Sequence, residues 1–267
     1  HPDFPRTWPL DAEKVAVIGV GNVALDVARI LVSDPDELAK TDIADHALAK
    51  LRESNISEVV LLGRRGVAQA AYTNSEFLAL GDVDGVDVVI DPDELVLDPA
   101  SEAAQSDDTL DSTIATKVRL AREFAERPQT PGNKRIVFRF LTSPVEIAGD
   151  GEVATLTCVR NAYADATGTV AVTPTEDRFD LETGLVLRAI GYRGVPVTDL
   201  PFDEGHGVVP NTEGRVQTAA DGDVMPGLYV TGWIKRGATG GIGMNRICGQ
   251  ETAQAVIADF VAAARRA

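Results

Sequence analysis

The sequence has few cysteines, few positive charges and no long apolar run, and each shortage excludes a class of protein. Its two cysteines, Cys158 and Cys248, stand far apart without a CxxC spacing or a nearby histidine. We therefore expect no metal site, and two buried, reduced thiols in a cytoplasmic protein. With 25 Lys and Arg against 41 Asp and Glu, the formal net charge is -16, which argues against broad binding to nucleic acid. No apolar run approaches the ~20 residues of a membrane-spanning helix.

The start of the chain lacks both an initiator methionine and a signal pattern of basic and then apolar residues. We therefore expect this sequence to be an internal part of a longer polypeptide. Residues 1–13 are rich in proline and polar side chains and predict an extended linker.

Short β-branched runs alternate with apolar residues at helical spacing along most of the chain. This alternation predicts an α/β fold with a Rossmann-like parallel sheet and an antiparallel excursion near residues 135–161. The acidic stretch 87–111 is predicted to be a solvated and partly irregular region. The predicted strands are 14–18, 58–62, 86–90, 135–140, 152–161, 184–191 and 227–232, and the predicted helices are 22–32, 37–52, 75–80, 113–127 and a last one ending near Ala264.

The first predicted strand runs directly into Gly19-Val20-Gly21-Asn22-Val23-Ala24, which matches the dinucleotide-binding pattern G-x-G-x-x-A. In that pattern the first glycine allows a sharp turn, the second lets the backbone approach a pyrophosphate, and the small third residue keeps helix and strand close. The following helix offers unpaired N–H groups to phosphate oxygens. A glycine turn in an α/β unit that binds nothing is the alternative.

The second predicted strand ends in Gly63-Arg64-Arg65-Gly66. An NAD-binding unit carries an acidic residue here for the ribose 2′-hydroxyl, whereas guanidinium groups suit the 2′-phosphate of NADP. Arg64 lies much further from Gly19 than the usual distance of about 20 residues, so the predicted helix 37–52 is interpreted as an insertion. An exposed arginine pair without a ligand is the alternative.

Near the C-terminal end, Trp233 follows the predicted strand 227–232 and precedes a glycine-rich turn and the last helix. This density of glycine indicates close approach of the backbone to a flat or charged group. A helix N-terminus aimed at a flavin would stabilise the negative charge of the reduced ring. The alternative is a loop that only packs on the sheet.

Taken together, these motifs resemble ferredoxin–NADP reductases of the adrenodoxin-reductase type, most closely the bacterial branch. The resemblance covers nearly the entire chain. It is carried by residues 17–29, the Gly63–Gly66 segment, Gln69-Ala70-Ala71, Ile190-Gly191-Tyr192 and, most specifically, Gly232-Trp233-Ile234-Lys235-Arg236-Gly237.

The resemblance implies an FAD flavoenzyme that passes electrons between NADPH and ferredoxin or another small iron–sulfur protein. It also implies an FAD domain built from both chain ends, with the NADP domain inserted between them. It places Gly19, Gly21, Asn22, Val23 and Ala24 at the NADP pyrophosphate, Arg64 and Arg65 at the 2′-phosphate, and Glu76 at a further NADP contact. It places Trp233, Gly240, Gly241 and Ile242 at FAD. It implies no catalytic side chain, since the cofactors carry the chemistry.

The sequence departs from the family pattern in three respects. Ala79 stands where family members commonly have glutamate, and Ala238 stands where they usually have proline. The FAD-binding Rossmann unit that opens the family's sequence has no counterpart here. We therefore expect residues 14–191 to form the NADP-binding domain and residues 192–267 to form the C-terminal segment of a split FAD domain, inactive as a fragment.

Two other functions remain open at this point. The chain could be a stand-alone NADP(H)-binding module without redox chemistry of its own. It could also be part of a related NADPH flavoprotein, such as a glutamate synthase small subunit.

Overall fold

In a computed structural model, residues 8–164, 170–240 and 242–265 can be described. The chain divides into one compact unit through Ile190 and a second from Gly191 onward. The described part of the predicted linker, residues 8–13, has no regular secondary structure. It is attached to the first unit, because the N–H groups of Asn55 and Ser57 donate to the carbonyls of Leu10 and Glu13, each at 2.9 Å.

The first unit is built on a parallel five-stranded sheet with the strand order β3-β4-β2-β1-β8. Its strands are β1 (Lys14–Ile18), β2 (Glu58–Leu62), β3 (Val86–Ile90), β4 (Lys134–Arg139) and β8 (Leu185–Arg188). Ile18 pairs with Leu62 on one side and with Arg188 on the other. The carboxyl ends of the three neighbouring strands β2, β1 and β8 therefore lie level at one edge of the sheet.

Six α-helices accompany this sheet in the part of the first unit that the structure describes. They are α1 (Asn22–Val32), α2 (Pro35–Leu38), α3 (Asp45–Arg52), α4 (Asn74–Ala79), α5 (Pro99–Ser106) and α6 (Ser112–Ala125). Ala24, Leu25 and Ala28 of α1 are buried in the main core with Val15 and Val17 of β1. The small side chains allow the helix to approach the strand closely, as the fingerprint predicts.

A three-stranded antiparallel sheet covers the opposite face of β1 and β2. It consists of β5 (Thr142–Ala148), β6 (Thr155–Ala164) and β7 (Ala171–Glu182), in the order β5-β6-β7. Leu156 and Cys158 of β6 form a second core with Ala16, Val60 and Leu62. The central strands are therefore buried on both faces, which explains their nearly continuous apolar sequence.

The predicted antiparallel excursion is confirmed, but its bounds were wrong. Residues 135–139 belong to β4 of the parallel sheet, and the excursion extends from Thr142 to Glu182. The strand predicted over 152–161 is β6, which the structure places at Thr155–Ala164.

The single helix predicted over 37–52 is also wrong, because the structure has α2 and α3 with a break between them. The Thr41 hydroxyl donates to the Leu38 carbonyl at 2.7 Å and accepts from the Ile43 N–H at 3.3 Å. Such local side-chain bonds compete with the backbone bonds of a continuous helix.

The acidic stretch 87–111 is mostly exposed and partly irregular, as predicted, but it also holds two buried carboxylates. It contains part of β3, a 3-10 helix at Pro92–Glu94 and α5, and Glu94 and Asp98 are only 5% and 2% exposed. Glu94 is paired with Arg139 and Arg160. Asp98 caps α5 by accepting from the N–H groups of Ala100 and Ser101. Two arginines distant in sequence neutralise the buried Glu94, and hydrogen bonds from the first turn of α5 satisfy the buried Asp98.

The second unit contains a small antiparallel sheet and two helices. The sheet consists of β9 (Asn211–Thr212), β10 (Arg215–Gln217) and β11 (Val224–Tyr229), in the order β11-β10-β9. The helices are α7 (Trp233–Arg236) and α8 (Ile242–Ala264). The strand predicted over 227–232 is β11, which begins and ends three residues earlier than expected.

Two of the expectations from composition can be compared with the structure. Cys158 and Cys248 are both buried free thiols, as predicted. None of the described helices combines the length and apolar character needed to cross a membrane.

Candidate functional site

The turn after β1 requires glycine at its first position. Gly19 has a φ of +126°, and a Cβ atom there would lie 2.3 Å from the carbonyl oxygen of Ala189. Its N–H donates to the Leu62 carbonyl at 2.9 Å. Gly19 is therefore fixed by its two neighbouring strands, β2 and β8, and a side chain has no room.

Gly21 has a different environment, because space is open beside it. The nearest atom to a Cβ placed there is the Cβ of Ala71, at 3.8 Å. Gly21 is also the N-cap of α1, and no side chain caps this helix. The N–H groups of Asn22, Val23 and Ala24 have no hydrogen-bond acceptor among the described residues. An uncapped helix N-terminus beside open space is the arrangement that suits a phosphate.

Two arginines follow the neighbouring strand at the same edge of the sheet. Arg64 is exposed, Arg65 is half-buried, and neither forms an ion pair with a described carboxylate. Because Ile18 and Leu62 are register partners, the glycine turn and the arginines leave the sheet side by side. Open α/β sheets bind their ligands outside the carboxyl ends of their strands, and both motifs lie there.

The segment after the arginines returns to the glycine turn and forms a wall beside it. The Ala71 N–H donates to the Val20 carbonyl at 3.0 Å, and the Thr73 N–H donates to Oδ1 of Asn22 at 2.8 Å. Lys117, which is buried, donates from Nζ to the Ala70 carbonyl, and its burial lowers the pKa of the ammonium group. The Asn22 side chain therefore has a structural bond that its place in the fingerprint does not reveal.

Glu76 lies in the first turn of α4. Its side chain is partly exposed and has no hydrogen-bond partner among the described residues. Ala79, the position where the family pattern has glutamate, is exposed on the same short helix.

The second unit contains the aromatic and glycine-rich motif. The Trp233 ring is 45% exposed and stacks on Tyr192, with centroids 6.1 Å apart. Gly232, Gly237 and Gly240 have φ values of +78°, +85° and +74°, so this loop depends on glycine for its conformation. Gly241 lies outside the described residues. Ile242 begins α8, but its side chain also lies outside them.

Polar residues of α8 hold this loop in place, and sequence reasoning missed them. Lys235 is buried, forms an ion pair with Glu251 and donates to Oγ1 of Thr252 at 3.2 Å. The Gly232 N–H donates to the sulfur of Cys248 at 3.2 Å. The positions of these residues in the sequence do not predict the bonds, because each bond joins the loop to a residue in the following helix.

Comparisons with known proteins give close matches over almost the whole chain. It is 48% identical over 259 residues to the NADPH-ferredoxin reductase FprA of Mycobacterium tuberculosis, across 96% of this chain and 55% of that protein. It is 37% identical over 271 residues to the mitochondrial NADPH:adrenodoxin oxidoreductase of Arabidopsis thaliana, across 97% of this chain and 56% of that protein. No family model matches the chain.

The fold has a match among solved structures as well. The structure of Mycobacterium tuberculosis FprA in complex with NADPH superposes with a TM-score of 0.85 at 47% identity, across 96% of this chain and 55% of that one. The similarity supports the Rossmann-like α/β fold. The chain spans about half the length of the curated relatives it matches.

Proposed function

We propose that the chain is the NADP(H)-binding portion of an FAD-dependent ferredoxin–NADP reductase. Such an enzyme passes electrons between NADPH and ferredoxin or another small iron–sulfur protein. The observation that carries the proposal is the pair of arginines that form no ion pair with a carboxylate among the described residues. They lie beside an uncapped helix N-terminus at the carboxyl edge of a parallel sheet. The similarity to proteins named as NADPH-dependent ferredoxin and adrenodoxin reductases supports it.

The residues present fit NADP(H). The open space at Gly21 and the free N–H groups of the first turn of α1 would hold the pyrophosphate. Arg64 and Arg65 would bind the 2′-phosphate, because planar guanidinium groups form paired, charge-assisted hydrogen bonds with phosphate oxygens. We assign Glu76 to a further NADP contact. We also assign Gly19, which shapes the turn, to the pyrophosphate site.

For FAD, the second unit offers a partial fit. Its contacts would come from the exposed ring of Trp233 and from the glycine-rich segment that follows, at Gly240, Gly241 and Ile242. The flavin, when bound, supplies the conversion between hydride and single-electron transfer that protein side chains do not provide. No side chain of this chain is assigned a catalytic role.

The remainder of the flavin site would come from a segment that this sequence does not contain. A second G-x-G-x-x-A match, at residues 149–154, joins the antiparallel strands β5 and β6 and opens no helix. The adenosine end of FAD therefore has no second strand–turn–helix unit among the described residues. Several large apolar side chains on α8 are exposed, among them Ile247, Ile257 and Phe260 at 60%, 63% and 74%. Such a face is typical of a surface that another part of a protein covers. We propose that residues 14–191 form the NADP domain and 192–267 part of a split FAD domain, in a cytoplasmic enzyme.

Replacing both arginines tests the coenzyme assignment directly. Hydrogen bonds to a charged group contribute roughly 1.5–3 kcal/mol, so one or two such contacts correspond to an affinity change of about 10- to 100-fold. Arg64→Ala combined with Arg65→Ala should weaken NADPH binding by this factor and leave NADH binding unchanged, as measured by titration calorimetry.

A matched control comes from another exposed arginine pair. Arg119 and Arg122 lie on α6, and their replacement by alanine removes the same charge from the molecule. This control should bind NADPH as the unmodified chain does. Equal loss in both double variants would show that only the long-range field of the protein had changed, and would contradict the assigned contacts.

A further inference from the structure

The backbone of the arginine loop is held from one side by the antiparallel excursion. The carbonyl of Gly63 accepts from the Thr142 N–H at 2.9 Å, and the carbonyl of Arg65 accepts from the Leu141 N–H at 3.2 Å. The carbonyl of Arg64 accepts from Nδ2 of Asn161 at 2.8 Å. Three consecutive carbonyls of the loop therefore accept hydrogen bonds. Two of the donors are backbone N–H groups, and the third is the side chain of Asn161.

Asn161 is placed for this bond by an irregularity in β6. The pairing of β6 with β7 shifts register between Val159 and Asn161. The Asn161 N–H donates to the Leu141 carbonyl at 2.7 Å, and Nδ2 also donates to Oγ of Ser143 at 2.8 Å. With 7% of the residue exposed, both amide protons are used inside the protein. Bulges of this kind re-aim a side chain, and they occur often next to functional sites.

Leu141 contributes a strained conformation at the same place. Its φ is +48°, a region that bulky side chains adopt rarely and at an energetic cost. Its N–H and carbonyl join Arg65 to Asn161. The turn that leads from the parallel sheet into β5 is therefore held by hydrogen bonds to the arginine loop and to β6. These bonds keep leucine in a conformation for which an unconstrained turn would favour glycine.

A tyrosine of the same strand closes the end of the loop. The Tyr163 hydroxyl lies 3.1 Å from the Val96 carbonyl and 3.3 Å from Oε1 of Gln69. A Cβ atom placed on Gly66 would be 1.9 Å from that hydroxyl. Burial, with a smaller effect of Asp98, raises the pKa of Tyr163 to about 12, so the hydroxyl remains neutral under ordinary conditions. The loop is thus bounded by β6 at both Arg64 and Gly66.

We propose that Asn161 is a positioning residue for recognition of the 2′-phosphate, and so a determinant of the preference for NADPH over NADH. The inference rests on the proposed function. A guanidinium group binds a phosphate well only from a defined backbone position, and fixing that position beforehand removes an ordering cost from binding. NADH has no phosphate at this place and gains nothing from the fixed loop.

The test uses this chain and titration calorimetry with NADPH and NADH. Asn161→Leu keeps the size of the side chain and removes the donor to Arg64, and it should weaken NADPH binding about 5- to 10-fold without changing NADH binding. Asn161→Ala removes the same donor without placing a branched apolar group in the site, and it should give the same result. The matched control is Asn133→Leu, which removes a bond from Nδ2 to Asp87 at the opposite end of β4. It should leave the ratio of the two affinities unchanged, even where it lowers the melting temperature.

The outcomes separate this inference from the function on which it rests. A lower ratio of NADPH to NADH affinity in both Asn161 variants, and not in Asn133→Leu, supports it. A ratio equal to that of the unmodified chain overturns the role of Asn161 and leaves the coenzyme assignment intact. Equal binding of both coenzymes to the unmodified chain overturns the proposed function, and the inference with it.

Discussion

Gly19 and Gly21 are glycines for different reasons, and one substitution separates them. Gly19→Ala places a methyl group against the Ala189 carbonyl and requires a left-handed φ. We expect it to lower the free energy of unfolding by about 2 kcal/mol or more, a fall in melting temperature of about 5 °C. Thermal unfolding followed by circular dichroism measures this. A melting temperature equal to that of the unmodified chain would contradict the geometry of the turn.

Gly21→Ala should have the opposite pattern of effects. An alanine is free to adopt the φ of -109° at this position, and its methyl group meets only Ala71, at 3.8 Å. The melting temperature should hold, while NADPH binding falls about tenfold or more, because the methyl group occupies the place where the pyrophosphate approaches. Titration calorimetry and thermal unfolding on the same sample give both values. Unimpaired binding would show that the phosphate lies elsewhere.

The glycine fingerprint and the arginine pair could be recognised from sequence because each is a local pattern. Asn161 could not, since nothing in its neighbourhood indicates that its amide reaches Arg64, which lies far earlier in the chain. The hydrogen bond between Lys235 and Thr252 could not be predicted for the same reason. The spacing of residues in the sequence indicates which backbone segment faces a ligand. The side chains that hold this segment in place can be identified only once the fold is known.

Among the elements, the buried carboxylate of Glu94 joins the 3-10 helix at Pro92–Glu94 to both sheets of the first unit. Its oxygens accept from the Phe140 N–H at 2.9 Å and pair with Arg139 and Arg160. Breaking a buried ion pair on one side leaves uncompensated charge behind. Glu94→Gln should therefore lower the free energy of unfolding by about 3 kcal/mol, which denaturant unfolding measures.

An exposed glutamate on α2 provides the control for this substitution. Glu37 pairs with Lys40 at the surface, and such pairs contribute at most about 1 kcal/mol. Glu37→Gln should change stability by no more than that. Similar stabilities of Glu94→Gln and Glu37→Gln would contradict the structural role of the buried carboxylate.

The bounds of β1, α1, β2 and β3 agree with the sequence prediction, because strong periodicity and glycine turns define them locally. The prediction failed where contacts distant in sequence decide. Within the mostly exposed stretch 87–111, Glu94 and Asp98 are buried, with partners in later strands and in Gln69. The extent of the antiparallel excursion likewise depends on the second core under β1 and β2. Neither the burial of these carboxylates nor the extent of the excursion can be predicted from charge and composition alone.

For the molecule as a whole, the account predicts a chain that binds NADP(H) but does not retain FAD. In the proposed flavin site the second unit would supply the Trp233 ring and a glycine-rich loop. Among the described residues, no second G-x-G-x-x-A pattern stands between a strand and a helix. So small a contact area leaves too little free energy for tight binding. The purified chain should be nearly colourless and should not reduce dyes with NADPH. Visible flavin absorbance at a stoichiometric level would contradict this view of the second unit.

The most direct test of the central claim is a calorimetric titration of the unmodified chain with NADPH and with NADH. NADPH should bind about 10- to 100-fold more tightly than NADH. This preference should narrow as the salt concentration rises, because Arg64 is exposed and its contact with phosphate is partly screened. Equal affinity for the two coenzymes at low salt would contradict the assignment of Arg64 and Arg65 to the 2′-phosphate.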